Sequence, residues 1–297
     1  MKLKFNLSQK LLIIIAVILF AAGVCKLIYF QTAPLNSLLL GFNNLIGSTG
    51  FEQDIMASCW FGTEYLGSQS IPAEMINDML ITANYKKAPE ASKVEFSLKS
   101  RNNQNVFLSG EVYNNKNFTV FTLNDKTFYT RHDIQTSSNT PNNLKDILAG
   151  YKQYFKHLSK AAVTVNDYGK PTKMVMDNFS FLIEGDECSS LLSSLVNNVE
   201  MNNDPGFWEF IEQIPAGSVR HIYAMFQLDD FIRLRGVHSE IQLNEATLIL
   251  DINTTRISRN INITSPDITN GLDISNFSED EKGALFNDIF DSLAGGK

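Results

Sequence analysis

The chain has 297 residues, 44% of them hydrophobic and 19% charged, with 25 Lys and Arg against 32 Asp and Glu for a net charge of −7. This excludes a disordered or collagen-like chain, and the acidic balance argues against a nucleic-acid binder, because a phosphate backbone selects a basic face. Three Cys and four His supply neither the framework of a small disulfide-stapled domain nor the ligands of a typical metal enzyme.

Residues 11–25 read LLIIIAVILFAAGVC, and after Lys26 the apolar run resumes through Phe30. A bilayer-spanning helix needs about 20 residues rising 1.5 Å each, which Leu11–Phe30 supplies. Lys26 sits near the far end, where its long side chain can snorkel. Lys2, Lys4 and Lys10 flank the near end, and no acid occurs before residue 31. The positive-inside rule then places residues 1–10 in the cytoplasm and everything after the span outside it. Two alternatives stand beside the uncleaved anchor. Ala21-Ala22-Gly23 offers a signal-cleavage site, but the apolar run continues past it. Cys25 offers a lipidation site, but Val24 before it is a poor fit. Residues 1–30 carry four Lys and no acids, which leaves 21 bases against 32 acids beyond them, a net −11. Such a domain should repel anionic lipid surfaces and nucleic acid rather than cling to them.

Residues 31–70 read as a connector, with a short apolar helix near Leu35–Leu40 and glycines punctuating the rest. Pro72 opens an expected helix to Tyr85, with Met75, Ile76, Met79, Leu80 and Ala83 on one face. From Lys93 to His132 the period drops to two, and short Asn-rich turns break the run into a four-strand antiparallel meander. Aromatic and apolar residues on both faces of its last two strands require a second cover. The expected cover is a helix over Asn142–Ala162, with Ile147, Leu148, Tyr151, Tyr154, Phe155 and Leu158 in a wide stripe. Strands follow at Ala162–Asn166 and Lys173–Ile183, then helices at Asp186–Val199 and Gly206–Ile214. A second meander is expected at Val219–Leu228, Phe231–Leu243, Ala246–Asn253 and Arg256–Thr264. Ser278 with Glu281 is a capping box for a final helix.

The sum is an α+β chain: an N-terminal transmembrane helix, then a large curved antiparallel sheet of about ten strands in two meanders, half-barrel-like, with helices packed on one face. The extracytoplasmic domain is taken as residues 71–297. This order of elements resembles the half-barrel of bacterial envelope lipoprotein carriers and related lipid-binding lipoproteins. No family motif accompanies the resemblance, which therefore implies no residue roles.

Catalytic signatures are missing from the sequence: no Gly-x-Ser-x-Gly elbow and no Ser-x-x-Lys pair occurs. Arg131-His132-Asp133 has the wrong order for a kinase loop. His221 and His238 on neighbouring strands are too few for a zinc site, and Glu184–Glu187 and Asp229-Asp230 lack EF-hand spacing. Cys59 and Cys188 both fall outside the membrane on this topology, so a long-loop disulfide between them is one expectation. The leading function is a non-catalytic, membrane-anchored binding protein for a lipid or other apolar ligand, without a cofactor or metal. Its candidate ligand residues are Phe118, Phe121, Phe128, Tyr129, Tyr151, Tyr154 and Phe155. An envelope scaffold is the alternative, and an unrecognised hydrolase the least favoured.

Overall fold

The structure is a computed structural model describing residues 34–61, 77–124, 126–132, 152–167, 170–188, 190, 218–244, 246–278 and 280–285. In chain order its elements are helix α1 (Pro34–Ile46), then strands β1 (Phe51–Phe61), β2 (Met79–Lys87), β3 (Ala91–Ser100), β4 (Val106–Asn115), β5 (Phe118–Leu123) and β6 (Lys126–Arg131). A 3-10 turn at Lys152–Tyr154 leads into β7 (Phe155–Asp167), β8 (Lys170–Glu184), β9 (Val219–Leu228), β10 (Leu234–Leu243), β11 (Ala246–Ile257) and β12 (Leu272–Asp273). The described residues are mostly antiparallel sheet with few helices. They fall into two compact units: one built from residues 1–47, 141–165 and 171–244, the other from 48–140, 166–170 and 245–297.

In the first unit the strand order is β7-β8-β9-β10, with α1 packed on the sheet. Pro34 opens the helix, where its fixed φ and missing N–H cost nothing. Leu35, Leu38 and Leu45 are buried at helical spacing. Gly41 admits Leu228, whose Cδ2 would lie 2.5 Å from any added Cβ. Phe42 meets Phe226 edge-on at 6.1 Å. Register pairs Phe179 with Phe226 and Ile183 with Ile222, so β8 and β9 share one apolar face. The β9–β10 turn is organised by Asp229, whose side chain is fully buried. Its Oδ1 accepts the backbone N–H of Phe231 and of Arg233, both at 3.0 Å. Its Oδ2 takes Nε of Arg233 at 3.0 Å and of Arg235 at 2.9 Å. Burial pushes this carboxyl up, but the bonds from the two arginines outweigh it and hold it below its ordinary value.

The second unit carries the strand order β12-β6-β5-β4-β3-β2-β1-β11. All its neighbouring pairs are antiparallel except β12 with β6. The meander β3–β6 stands where the period-two pattern puts it. Other expectations are corrected. Residues 79–87 form β2 rather than the end of a helix, because they are paired on one side with β1 and on the other with β3. Residues 51–61, read as part of a connector, form β1, paired with β11 and β2. The expected helix 142–162 gives way to strand from Phe155 onward, since β7 extends the sheet beside β8. Of the expected strand Arg256–Thr264 only the first two residues belong to β11. Beyond Ser258, whose N–H bonds the Gly50 carbonyl at 3.1 Å, the chain turns so that Ile261 is buried against Gly50. The capping box is formed: Ser278 Oγ accepts the Glu281 N–H at 3.3 Å, and Glu281 Oε2 accepts the Ser278 N–H at 2.7 Å. Residues 280–285 are helical. The expected span 11–30, the helix 206–214 and most of 186–199 lie outside the described residues. Among those described, no helix is long and apolar enough to cross a membrane.

Candidate apolar ligand site

Residues directly opposite in a ladder point to the same face of a sheet, and successive residues alternate. Following the register across the second unit therefore sorts its two faces. On one face Leu248, Leu250 and Ile252 of β11 lie opposite Cys59, Ala57 and Ile55 of β1. Ala57 and Ile55 in turn face Ile81 and Ala83 of β2. Ile81 and Ala83 face Leu98 and Phe96, and the row continues through Leu108, Gly110 and Val112 to Phe121, Leu123 and Phe128. Every one of these side chains is uncharged, and all but the Cys and Gly are hydrocarbon.

The opposite face is polar at its centre. Thr82 and Ser97 hydroxyls bond at 2.8 Å, and Asn84 donates to Asp54 at 2.8 Å. Lys93 bridges Glu95 at 2.9 Å and Glu111 at 2.6 Å. Desolvation pushes the Lys93 ammonium down, yet the two carboxylates prevail and hold it above its ordinary value.

The apolar face is covered over only part of its width. At β4–β6 the segment after β12 lies on it: Ile274 is buried with Leu123 and Phe128, and Phe277 and Leu285 pack around them with Phe96, Leu108 and Phe121. Over β11, β1 and β2, no described residue covers one end. Ile81 is 48% exposed, Leu248 39% and Leu250 36%. The small side chains of Ala57 and Cys59 on the middle strand leave a shallow furrow between Leu248 and Leu250 on one side and Ile81 on the other. By strand geometry this patch measures roughly 10 Å across and 14 Å along. Its other end is closed. Phe51 is buried and meets Tyr85 edge-on at 5.5 Å, with Lys87 Nζ 5.6 Å from the Phe51 ring. Thr254, 1% exposed, accepts a bond from Gln53 at 3.0 Å. Burial pushes the Cys59 thiol up, as expected of sulfur in an apolar trough.

A second depression of about 470 Å³ lies where the β2–β3 and β4–β5 turns meet residues 261–263. Its walls mix Pro89, Ile261 and Ile263 with Asn117 and an exposed Lys116–Glu90 pair at 3.5 Å. Asn115 there is occupied structurally, donating to the Tyr113 hydroxyl and accepting the N–H of Asn117 and Phe118.

The residues named from sequence divide among several places. Phe121 and Phe128 lie on the apolar face, but inside its covered part. Phe118 and Tyr129 lie on the opposite face, Phe118 stacked on Tyr113 at 5.8 Å and Tyr129 beneath the Arg131 guanidinium at 5.8 Å. Tyr154 and Phe155 belong to the other unit, where both pack on Phe181, at 6.4 and 4.7 Å. They end a 3-10 turn and begin a strand, so the covering helix expected to carry them is not formed. Tyr151 lies outside the described residues. Cys59 and Cys188 are free thiols, contrary to the expected bridge. Cys188 is fully buried and its Sγ donates to the Ile183 carbonyl at 3.4 Å, within its own unit. The histidine pair is not assembled either: His221 approaches Glu240 at 3.6 Å, while His238 lies against Tyr223. Among the described residues no three His, Cys, Asp or Glu are placed to hold a metal ion. What sequence reasoning missed is the open patch itself. The alternation of Leu248, Leu250 and Ile252 is plain, but their partners on β1 and β2 were read as connector and helix.

No protein-family model and no curated protein matches the chain. Among solved structures it is similar to the lipoprotein LppX of Mycobacterium tuberculosis, at 10% identity and a TM-score of 0.35, covering 77% of this chain and 97% of that one. It is likewise similar to LprF from Mycobacterium bovis, at 10% identity and a TM-score of 0.37, covering 78% and 95%. Likeness at this level assigns no residue a role.

Proposed function

We propose that the protein is a non-catalytic binding protein for an apolar ligand, a lipid or an acyl chain, held in the furrow over β11, β1 and β2. We further propose that residues 11–30 anchor it in the cell membrane, with the sheet outside the cytoplasm. One observation carries the reading: a single apolar face is sealed by the chain's own residues at β4–β6 and left exposed around Ala57. An ordinary core face has no reason to stop half-covered, because each buried Å² of apolar surface is worth about 25 cal/mol. A ligand completes that burial, and the exposed Ile81, Leu248 and Leu250 are the side chains it covers. The side chains that line the open patch, Leu248, Leu250, Ala57, Cys59 and Ile81, are uncharged and pair no nucleophile with a base, which supports binding without reaction.

Photo-cross-linking tests this directly. The full chain in phosphatidylcholine vesicles is irradiated with a photoreactive fatty acid and its modified peptides are mapped. Adducts on the peptides carrying β1, β2 and β11 are expected, and unlabelled palmitate should compete them away. Adducts confined to residues 11–30 would show only that the probe sits in the bilayer beside the anchor, and would overturn the reading.

A further inference from the structure

The depression of about 470 Å³ lies at the other end of the strands from the open patch and has its own chemistry. Each of its three walls is pinned. The β2–β3 turn closes on itself, the Ala88 N–H donating to the Ala91 carbonyl at 2.8 Å. The β4–β5 turn is held by Asn115, and its Asn117 carbonyl accepts the His132 N–H at 2.9 Å. Residues 261–263 follow a bend in which Asn260 donates its N–H to Ser258 Oγ and its carbonyl accepts from Arg256, both at 3.1 Å. Walls fixed in this way need no ordering when a ligand arrives. Into this frame the two turns set one charge each: Lys116 Nζ and Glu90 Oε1 stand 3.5 Å apart. They are 75% and 80% exposed, so their contact with each other contributes little. The depression is also lined by Asn117 and Asn262, whose carboxamides make no hydrogen bond among the described residues, and by hydrocarbon from Pro89, Ile261 and Ile263.

We propose that this pocket binds a zwitterion with an aliphatic side chain, the chemistry of a free α-amino acid such as leucine. A ligand of one charge sign pairs with Lys116 or with Glu90 and leaves the other without its partner. A zwitterion satisfies both. Its carboxylate meets Lys116, its ammonium meets Glu90, and four charges alternate around a ring. An α-amino acid carries the two groups on a single carbon, a separation that suits partners already 3.5 Å apart. The bonds formed are charge-assisted, the strong class of hydrogen bond. Asn117 and Asn262, each with donor and acceptor capacity, serve the protons and lone pairs left over. The aliphatic side chain falls on Pro89, Ile261 and Ile263, where its burial adds affinity. About 470 Å³ lies within the usual range of small-molecule sites and admits such a ligand with water beside it. The site shares no residue with the furrow and does not depend on the apolar-ligand reading.

The test is equilibrium dialysis of the full chain, in phosphatidylcholine vesicles, against radiolabelled L-leucine. Saturable binding is expected. Leucinamide and isocaproate, each lacking one of the two charges, should compete about tenfold less well than leucine itself. Lys116→Gln should weaken leucine about tenfold and leave the inhibition constant of leucinamide, which has no carboxylate, unmoved. Glu90→Gln should weaken leucine to a similar degree and leave isocaproate unmoved. Exchanging the pair, Glu90→Lys with Lys116→Glu, should restore leucine binding. Both positions are exposed, so the variants keep the fold, and circular dichroism checks that they do. Excess palmitate should leave leucine bound. No saturable binding, competition by leucinamide or isocaproate equal to that by leucine, or indifference to both single substitutions would overturn the proposal. Displacement of leucine by palmitate would move the leucine into the furrow and overturn it as well.

Discussion

Truncating Ile81 and truncating Phe128 should have opposite consequences, although both lie on one face of one sheet. Phe128 is 5% exposed, enclosed by Leu123 and Ile274, and Phe128→Ala should cost about 3–5 kcal/mol, as for a closed aromatic core site. Ile81 is 48% exposed. Ile81→Ala removes three carbons worth about 0.8 kcal/mol each when fully buried, so about half of that, roughly 1.2 kcal/mol, is lost on folding. No cavity penalty is added, because solvent reaches the vacated space. The other half is the portion a bound chain covers. Losing it should weaken ligand binding by a further 1.2 kcal/mol or so, about eightfold in Kd. Urea denaturation followed by circular dichroism gives the first quantity, and palmitate competition against photo-cross-linking gives the second. If Ile81→Ala destabilises as much as Phe128→Ala and leaves the competition curve unmoved, the face is plain core and the reasoning fails.

Asp229→Asn should destabilise the first unit by about 3 kcal/mol, because buried Arg235 and partly exposed Arg233 both lose their shared, buried counter-ion. The Asp229 carboxyl is held low in the folded state, so its contribution is present above the unfolded value near pH 4 and lost as pH falls through the folded value. Urea melts across pH should show the gap between wild type and Asp229→Asn narrowing below about pH 4; a gap of constant size would rule out the charge as its source. For the orientation, protease added to intact, wall-stripped cells should digest the chain beyond residue 34, and complete protection would reverse the proposed topology.

The strands that could be read from sequence are those whose alternation is strong on one face. β3–β6 and β9 were legible because Phe, Leu, Val and Ile recur at every second position. β1 was not: its inward residues include Gln53, Ala57 and Cys59, too small or too polar to register as a hydrophobic period. Yet the small size of Ala57 and Cys59 is what opens the furrow, so the feature that hid the strand also makes the site. β2 carries Met79, Ile81, Ala83 and Tyr85 at period two, a signal that was present. It was masked by Met75, Ile76, Met79 and Leu80 falling at helical spacing, and long-range pairing decided between them. β7 defeated the reading differently. Tyr151, Tyr154, Phe155 and Leu158 fall at helical spacing across its start, and pairing beside β8 overrode that period. The aromatic residues chosen as ligand contacts followed abundance, whereas the open patch is aliphatic and assembled from strands almost 200 residues apart in sequence.

The two-residue strand β12 governs how the sheet ends. It pairs in parallel with Phe128 and Tyr129, its neighbour Ile274 donates its N–H to the Tyr129 carbonyl at 2.9 Å, and Ser275 Oγ accepts the Arg131 N–H at 2.9 Å. Those groups are the ones an unfinished edge offers to a stray strand from another molecule. Because the same segment sends Ile274 and Phe277 onto the apolar face at β4–β6, one short stretch both caps this edge and covers the part of the face beside it.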